Sequence, residues 1–426
     1  MKRIGLDHLA KAPDTAVLAG DVCRDRIDAY SELGGVGLEW DFENTPRELR
    51  AALVAFGERA RLAGKARILV VVESTGAYSE LVLRIAQELD FHTAWVSTEA
   101  VCKMRGIESN DSSKTDPKDA RCIYRLAAVM GKTLRHRALT EEYGVLRELH
   151  LVYASAEEAV VVARNAAQDV LRRLFPGFGF KSGFLFGKSG HALVSCYGAD
   201  PARILATDEA EFTATMRAAA KGIHGVSLRR LRSQAEACST SFLSEELASV
   251  LVLRMRQLFE DLERHDARKA AIKARMVALY EALRLRDPAL PAATQGVVSA
   301  FHLARIVAET GPLSDFESWR QVMRLAGLNL TERKSGTWKG RTKLSKKGRP
   351  LLRKVLSHCV LPLVKTGALF GEDHRRNREQ RKVAGTASMA SISRRFLKML
   401  FGWYRSGAAF DAARMRTCAS AYRKAA

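Results

Sequence analysis

Apolar runs separated by polar turns predict a sheet in the first third of the chain. Residues 15–22 form a continuous apolar run that ends in an acid, and residues 26–30 and 36–42 follow as strand-like pieces around a Gly-Gly turn. These three segments predict an antiparallel meander. Residues 67–72 are rich in β-branched side chains, which is typical of a buried strand, and residues 92–96 predict a further strand.

Helical patterns alternate with these strands. Residues 45–63 begin with an N-cap threonine, a proline and a capping-box glutamate, which together predict a helix start. Residues 76–89 predict a second helix. Residues 117–130 predict a third, with Asp116 as its N-cap and a polar loop before it. The order β-β-β-α-β-α-β-α predicts a mixed α/β sheet flanked by helices.

The remainder of the chain has mainly helical periodicity. Residues 141–174 predict one long helix, which the aromatic and glycine-rich segment 175–180 ends. Residues 242–283 are long enough for a helical hairpin, an intersubunit coiled coil or an interdomain spacer. We therefore expect three regions: an α/β domain at 1–140, a helical linker with a coiled-coil oligomerisation element at 141–290, and a basic, mainly α domain at 291–426.

Composition and charge indicate a folded protein with a polyanionic partner. The 426 residues are 47% hydrophobic and 27% charged, which excludes wholesale disorder and fibrous repeats. Of the net charge of +22, residues 331–426 carry +19, from 24 basic and 5 acidic side chains. Such a region displaces counterions from a polyanion. No wide apolar helix face accompanies the charge, so we expect nucleic acid rather than a membrane surface.

Other composition features predict a cytoplasmic protein. No run of about 18 apolar residues predicts a membrane span, and the first residues lack the apolar core of a secretory signal. The seven cysteines are scattered and never form a C-x-x-C pair. We therefore expect reduced thiols rather than a disulfide framework or a zinc knuckle.

Four carboxylates form the sharpest chemical signal. Asp21 lies on the first strand, Glu73 ends a central strand, and Asp116 and Asp119 are three residues apart at a helix start, a spacing at which both side chains face the same way. Parallel neighbouring strands would bring Asp21 and Glu73 to one edge of the sheet. Clustered carboxylates repel one another, so we expect cations between them, and Mg²⁺ prefers such oxygen ligands. Taken singly, each acid also fits a solvated turn or a helix cap.

Three motifs around these acids resemble the DEDD-type insertion-sequence transposases, which are relatives of the Piv-type DNA invertases. They are the Gly-Asp pair at 20–21, E-S-T-G at 73–76 and K-T-D-P-K-D-A at 114–120. The resemblance implies a RuvC-like, ribonuclease-H-type N-terminal domain and a separate C-terminal transposase domain. It also implies catalytic, metal-binding roles, with two Mg²⁺ ions, for Asp21, Glu73, Asp116 and Asp119. The family usually has one residue between the glycine and the first aspartate, as in G-x-D, whereas Gly20 and Asp21 are adjacent; Gly5-Leu6-Asp7 fits that pattern better, so Asp7 remains a rival to Asp21.

A basic segment in the last region resembles the family's serine motif. Its S-G dipeptide places Ser335 where the family has a nucleophile that attacks DNA; Thr337 and Ser345 are nearby alternatives. A serine hydroxyl needs a base, a metal or a cationic environment for activation. Basic side chains that we expect to contact nucleic-acid phosphates, without reading bases, are Lys334, Lys339, Arg341, Lys346, Lys347, Arg375, Arg376, Arg378, Arg381, Lys382, Arg394 and Arg395.

The sequence thus predicts a transposase that cleaves and rejoins the strands of donor and target double-stranded DNA. The resemblance further implies a structured bridge-type guide RNA, a homodimer that assembles to a tetramer, and a prokaryotic, nucleoid-associated location. Three alternatives stay open: a RuvC-like metal-dependent nuclease that uses water, a site-specific DNA invertase without a guide RNA, and a non-catalytic nucleic-acid-binding protein.

Overall fold

The computed structural model describes residues 6–74, 76–109, 116–136, 140–238, 243–332, 334–335, 338–340 and 342–411. The chain divides into two compact units, Met1–Ala138 and Leu139–Ala426. The first contains a six-stranded sheet, and the second is mainly helical. Over the described ranges, every helix is too short or too polar to pass through a bilayer.

The sheet of the first unit is mixed. Its strands are β1 (Thr15–Val22), β2 (Arg26–Leu33), β3 (Val36–Glu43), β4 (Arg67–Glu73), β5 (His92–Val96) and β6 (Leu134–Arg135). They lie in the order β3-β2-β1-β4-β5-β6. The pairs β1–β4 and β4–β5 are parallel, and the other pairs are antiparallel. The predicted meander and the two later strands are confirmed, and β6 adds a short edge strand.

Helices cover both faces of this sheet. They are α1 (Leu6–Ala10), α2 (Pro46–Leu62), α3 (Tyr78–Glu88), α4 (Thr98–Ser109) and α5 (Asp116–Tyr124), which continues as a π-helical turn at Arg125–Val129. The prediction of a polar loop before α5 is wrong for residues 98–109. That segment is helical because Val101 and Met104 bury its one apolar edge against the sheet. Asp116 is the first helical residue of α5 rather than its N-cap.

The two faces of β1 explain its continuous apolar run. Ala16 and Leu18 pack in the cluster that includes α2 and α3, whereas Val17 and Ala19 pack in the cluster that includes α4 and α5. Successive side chains of a strand alternate between faces, and a strand covered on both faces has no polar side. Asp21 therefore continues the face of Ala19, towards α5.

Two long helices organise the second unit. They are α6 (Glu141–Leu174) and α12 (Glu245–Arg286). They run antiparallel, since the end of α6 shares a cluster with the start of α12, while the start of α6 shares another with the end of α12. The helical-hairpin prediction for 242–283 is wrong, because α12 is continuous and buries its apolar side along α6; residue 242 lies outside the described residues. Between them lie α7 (Ser182–Leu185), α8 (Lys188–Tyr197), α9 (Pro201–Leu205), α10 (Glu209–Ala219) and α11 (Gly225–Ala237).

The remaining helices pack on the start of α6 and the end of α12. The elements are α13 (Ala300–Thr310), α14 (Trp319–Leu325), β7 (Leu330–Thr331), β8 (Lys334–Ser335), β9 (Trp338–Lys339), β10 (Lys343–Leu344), α15 (Pro350–Val360), α16 (Gly371–Glu379) and α17 (Gly385–Ser406), with 3₁₀ turns at Leu313–Asp315 and Leu361–Val364.

Candidate functional site

Two buried carboxylates lie side by side at the ends of parallel strands. Gly20 of β1 is in register with Val72 of β4, so Asp21 and Glu73 occupy the next position of each strand. Each is only 5% exposed. Both face α4 and α5, because Asp21 lies two residues after Ala19 and Glu73 two after a residue of the same cluster. The prediction that parallel strands bring these two acids together is confirmed.

A third buried carboxylate lies on the same face of the sheet, on α5. Asp119 is fully buried, on a helix that packs against β1 and β4. Arg105 of α4 binds it through both arms of the guanidinium: Nη2 donates to Oδ2 at 2.6 Å, and Nε donates to Oδ1. This hydrogen-bonded pairing is the main cause that raises the pKa of Arg105; burial opposes it, and the charge of Glu73 adds to it. Arg105 therefore acts on two of the three carboxylates.

Further acids extend the same face of the sheet. The antiparallel register pairs Asp21 with Asp28 on β2, and Asp28 with Asp41 on β3. Directly opposed residues of antiparallel strands share a face. Arg26 donates to Asp28 and lies 2.8 Å from Asp41 as well. Sequence reasoning missed Arg105 as the partner of Asp119, and it missed the register, fixed by the tight Gly-Gly turn between β2 and β3, that aligns Asp28 with Asp41.

The donor chemistry of this face suits a hard divalent cation. Asp21, Glu73 and Asp119 offer only carboxylate oxygens, the ligands that Mg²⁺ prefers, and buried negative charges need a compensating cation. No three His, Cys, Asp or Glu side chains in the described part of the chain are grouped closely enough to hold a metal ion. The guanidinium of Arg105 takes both oxygens of Asp119, and the side chain of Asp116 lies outside the described residues.

Ser335 lies on a two-residue strand of a small β-hairpin. The outer ladder pairs β7 with β10, and the inner ladder pairs β8 with β9. Ser335 and Trp338 form the innermost described pair. Of the predicted residues in this segment, Thr337 and Arg341 lie outside the described residues, and so do the side chains of Lys334, Ser335 and Lys339.

Two glycines fix the base of this hairpin. A Cβ on Gly348, whose φ is +150°, would lie 2.4 Å from the Leu325 carbonyl oxygen and 2.5 Å from the Gly327 nitrogen. The backbone at Gly348 is therefore in direct contact with the backbone of Leu325 and Gly327. The hydroxyl of Ser345 donates to Asn329 Oδ1 at 2.5 Å across the same junction. This contact gives Ser345 a structural role, which weakens it as an alternative nucleophile.

The predicted phosphate-binding side chains fall into two groups. Lys346, Lys347, Arg378, Arg381 and Lys382 are exposed. The other described ones have acidic or sulfur partners within the unit, including Arg375, which is also exposed. Arg375 lies between Glu372 and Glu379, each at 2.8 Å, Arg376 lies 3.9 Å from Glu372, Arg395 binds Asp373, and Arg394 contacts the sulfur of Met323. The first group is the better candidate for contact with phosphates.

Comparisons with known families match both ends of the chain. A model of DEDD-type IS110 transposases matches residues 31–176, and a model described as "Transposase IS116/IS110/IS902 family" matches residues 295–375. No individual curated protein matches the chain. The first match covers Glu73, Asp116 and Asp119 and begins after Asp21, and the second covers Ser335.

Proposed function

Because this chain belongs to the DEDD-type transposases of the IS116/IS110/IS902 family, we propose that it cuts and rejoins double-stranded DNA with the carboxylates of its first unit and Ser335 of its second. The observation that carries the proposal is the burial of Asp21 and Glu73 at adjacent ends of two parallel strands, with Asp119 on the same face. Buried carboxylates in such numbers cost folding free energy, which favours a functional reason for them.

The first unit is, on this proposal, a RuvC-like domain. An antiparallel meander joined to two parallel strands, with helices on both faces, supports that fold. The four family positions Asp21, Glu73, Asp116 and Asp119 would hold Mg²⁺. When bound, two such ions stabilise the attacking and leaving oxygens of a phosphodiester displacement.

Arg105 prepares this site before any ion binds. Its guanidinium fixes the orientation of the Asp119 carboxylate and offsets the repulsion between Asp119 and Glu73. A fork of two hydrogen bonds holds a carboxylate in one plane, which a lysine does not do. Arg105 is thus a positioning residue for a ligand of the site.

Ser335 would act as the nucleophile. Its Oγ forms a bond to phosphorus while the bond from phosphorus to one strand oxygen breaks, so the serine releases a proton and the departing oxygen takes one up. Attack by a strand hydroxyl on the phosphoserine reverses these changes and rejoins DNA without an energy source. Lys334, Lys339 and Arg341 would position the phosphate and offset its developing charge.

We further propose a bridge-type guide RNA and assembly of copies into dimers and tetramers. The excess positive charge of residues 331–426 supports a polyanionic partner besides the DNA substrate. Assembly is supported by apolar side chains left exposed along the long helical pair, which are Val161, Val162, Val250 and Leu253 at 55–62% exposure. A second copy would cover them.

Cleavage of DNA that flanks the gene tests the carboxylate assignments. We expect Asp21→Asn and Glu73→Gln to lose Mg²⁺-dependent cleavage by about 100-fold or more. Asp28→Asn is the matched control, because Asp28 lies on the same face and is 6% exposed against 5% for Asp21. Cleavage that survives Asp21→Asn but not Asp7→Asn would move the first ligand to Asp7. Equal loss with Asp28→Asn would count against the assignments.

A further inference from the structure

A phenylalanine-rich segment lies between the two family matches. Residues 175–190 contain five phenylalanines and end α6. Phe175 is 1% exposed and belongs to the core. The others, Phe178, Phe180, Phe184 and Phe186, are only partly buried. Large apolar rings that stay in contact with water on a folded surface call for a reason.

The partly buried rings form a continuous aromatic surface. Phe180 and Phe184 are stacked with centroids 4.2 Å apart and planes 25° apart. Phe178 lies 5.4 Å from Phe180 and also 5.4 Å from the buried Phe175. The guanidinium of Arg230, on α11, lies 4.7 Å from the centre of the Phe180 ring. The surface therefore extends from the core outwards and carries a cation on one ring.

Hydrogen bonds from α11 hold the loop that presents these rings. Arg230 Nη2 donates to the carbonyl of Gly179 at 2.9 Å, and the Gly179 N–H donates to Gln234 Oε1 at 3.2 Å. A Cβ at position 179 would lie 2.7 Å from Gln234 Nε2, so the loop and the helix are in close contact. A ring held in place before binding loses less conformational entropy when a ligand stacks on it.

Phe178 and Phe180 line a cavity of about 210 Å³ between the end of α6 and α7. It is smaller than the sites of about 300–1,000 Å³ that take drug-sized ligands, and its size suits a single heterocyclic ring system. Gln168 and Ser182 add an amide and a hydroxyl to the lining, both able to bond a base edge. Arg172, also in the lining, is 73% exposed.

The charge around the cavity favours a polyanion. Arg172 lines the cavity and is exposed, Lys181 is exposed between the lining residues Phe180 and Ser182, and Arg230 adds a third positive charge on the ring side. Asp169 accepts from Arg172 at 2.6 Å. An apolar protein segment would have to bury these cations, whereas a nucleotide matches both the rings and the charges.

We propose that this cavity binds one unpaired base of single-stranded nucleic acid. The base stacks on Phe178 and lies against the edge of Phe180, whose two faces are covered by Phe184 and Arg230, and the phosphates beside it contact Arg172 and Lys181. Unpaired bases present two free faces, which a duplex does not. The inference rests on the chain being a nucleic-acid enzyme, and it is independent of Ser335 and of the carboxylates.

Fluorescence anisotropy of the full-length protein with a labelled oligothymidylate, and with a duplex of equal length, tests the proposal at fixed salt. Phe178→Leu keeps an apolar side chain and removes the ring on which the base would stack. Loss of one stacked base costs about 1–3 kcal/mol, so single-strand affinity should fall about 5- to 150-fold while duplex affinity stays within about twofold. Phe186→Leu is the matched control, because Phe186 lies in the same segment but stacks on Phe259 outside the cavity.

A photochemical readout locates the contact. Oligothymidylate carrying 5-iodouracil should crosslink to the peptide that contains Phe178 and Phe180, and the crosslink should disappear in Phe178→Leu. Unchanged single-strand affinity in Phe178→Leu, or crosslinks only elsewhere, overturns the proposal. If that variant instead changes the oligomer mass with no effect on single-strand binding, the cavity is a protein contact and the proposal is wrong. Ser335→Ala should bind the oligonucleotide like the wild type, whatever happens to its cleavage activity.

Discussion

Arg105 holds both oxygens of Asp119, so the carboxylate face of the sheet contains its own cation. The Asp119 side chain is fully buried, and that of Arg105 is 17% exposed. The charge of Arg105 also interacts with that of Glu73. The pair therefore compensates the charge of Asp119 and must share this carboxylate with any ion that binds there.

We expect Arg105→Ala to destabilise the ion-free protein. Removing one partner of a buried pair costs about 3 kcal/mol of unfolding free energy, and a divalent ion would replace part of the lost charge. Thermal unfolding in EDTA and in millimolar Mg²⁺ measures this: the deficit should be large in EDTA and smaller with Mg²⁺. Arg121→Ala is the control, since its partner Glu39 forms an exposed pair, worth about 0–1 kcal/mol. An equal deficit of Arg105→Ala in both buffers would contradict the account.

Gly348→Ala should weaken the base of the serine hairpin. The added Cβ meets backbone atoms of Leu325 and Gly327, and backbone atoms cannot give way as a side chain does. We expect the free energy of unfolding, measured in urea, to fall by about 1–3 kcal/mol. Cleavage activity should fall by more than the fraction of unfolded protein explains. Gly402→Ala, in α17, has nothing within 4 Å of the new Cβ and is the control. Wild-type stability of Gly348→Ala would show that the junction is not tightly packed.

Stability should fall as the pH drops below about 6.5. Burial is the main cause that lowers the pKa of His302 from its usual 6.5, and the charge of Arg305 adds to it. The folded protein therefore keeps His302 neutral at a pH where the unfolded chain already binds a proton. The contribution of His302 to the free energy of unfolding is therefore complete above pH 6.5, its pKa in the unfolded chain, and is lost as the pH falls below that value. Unfolding midpoints at pH 7.5 and 5.5 should differ more in the wild type than in His302→Gln; an equal difference would remove His302 as a cause.

The two groups of basic side chains should behave differently towards nucleic acid. Arg381 and Lys382 are exposed, whereas Arg375 lies between two glutamates. Each phosphate contact adds about 0.9 to the slope of log affinity against log salt. We expect Arg381→Ala with Lys382→Ala to reduce that slope by about 2, and Arg375→Ala to change it less.

Analysis of the RNA that co-purifies with the protein tests the guide-RNA proposal. Protein expressed with the DNA that flanks its gene and purified in high salt should retain one discrete RNA from that flank. Heterogeneous cellular RNA would indicate general polyanion binding and direct readout of DNA, as in an invertase.

Patterns that depend on burial were predictable from the sequence, and contacts that depend on tertiary register were not. β1 and β4 are covered on both faces, so their continuous apolar runs predict them, together with the adjacent positions of Asp21 and Glu73. Arg105 lies 14 residues from Asp119 on a helix with one narrow apolar edge, and no periodicity indicates that pair. Ser335 lies in a short hairpin whose strands have two residues each, too few for any alternation to appear.

A covalent bond between Ser335 and DNA is the step that separates this mechanism from hydrolysis by water. The direct measurement is to incubate the protein with labelled flanking DNA and Mg²⁺, denature it, and follow the label on a gel, with mass spectrometry to locate the modified residue. We expect a protein–DNA adduct on the peptide containing Ser335 that is absent in Ser335→Ala and present in Ser345→Ala. Strand cleavage that persists in Ser335→Ala, with no adduct in any variant, would contradict the account and indicate a nuclease that uses water.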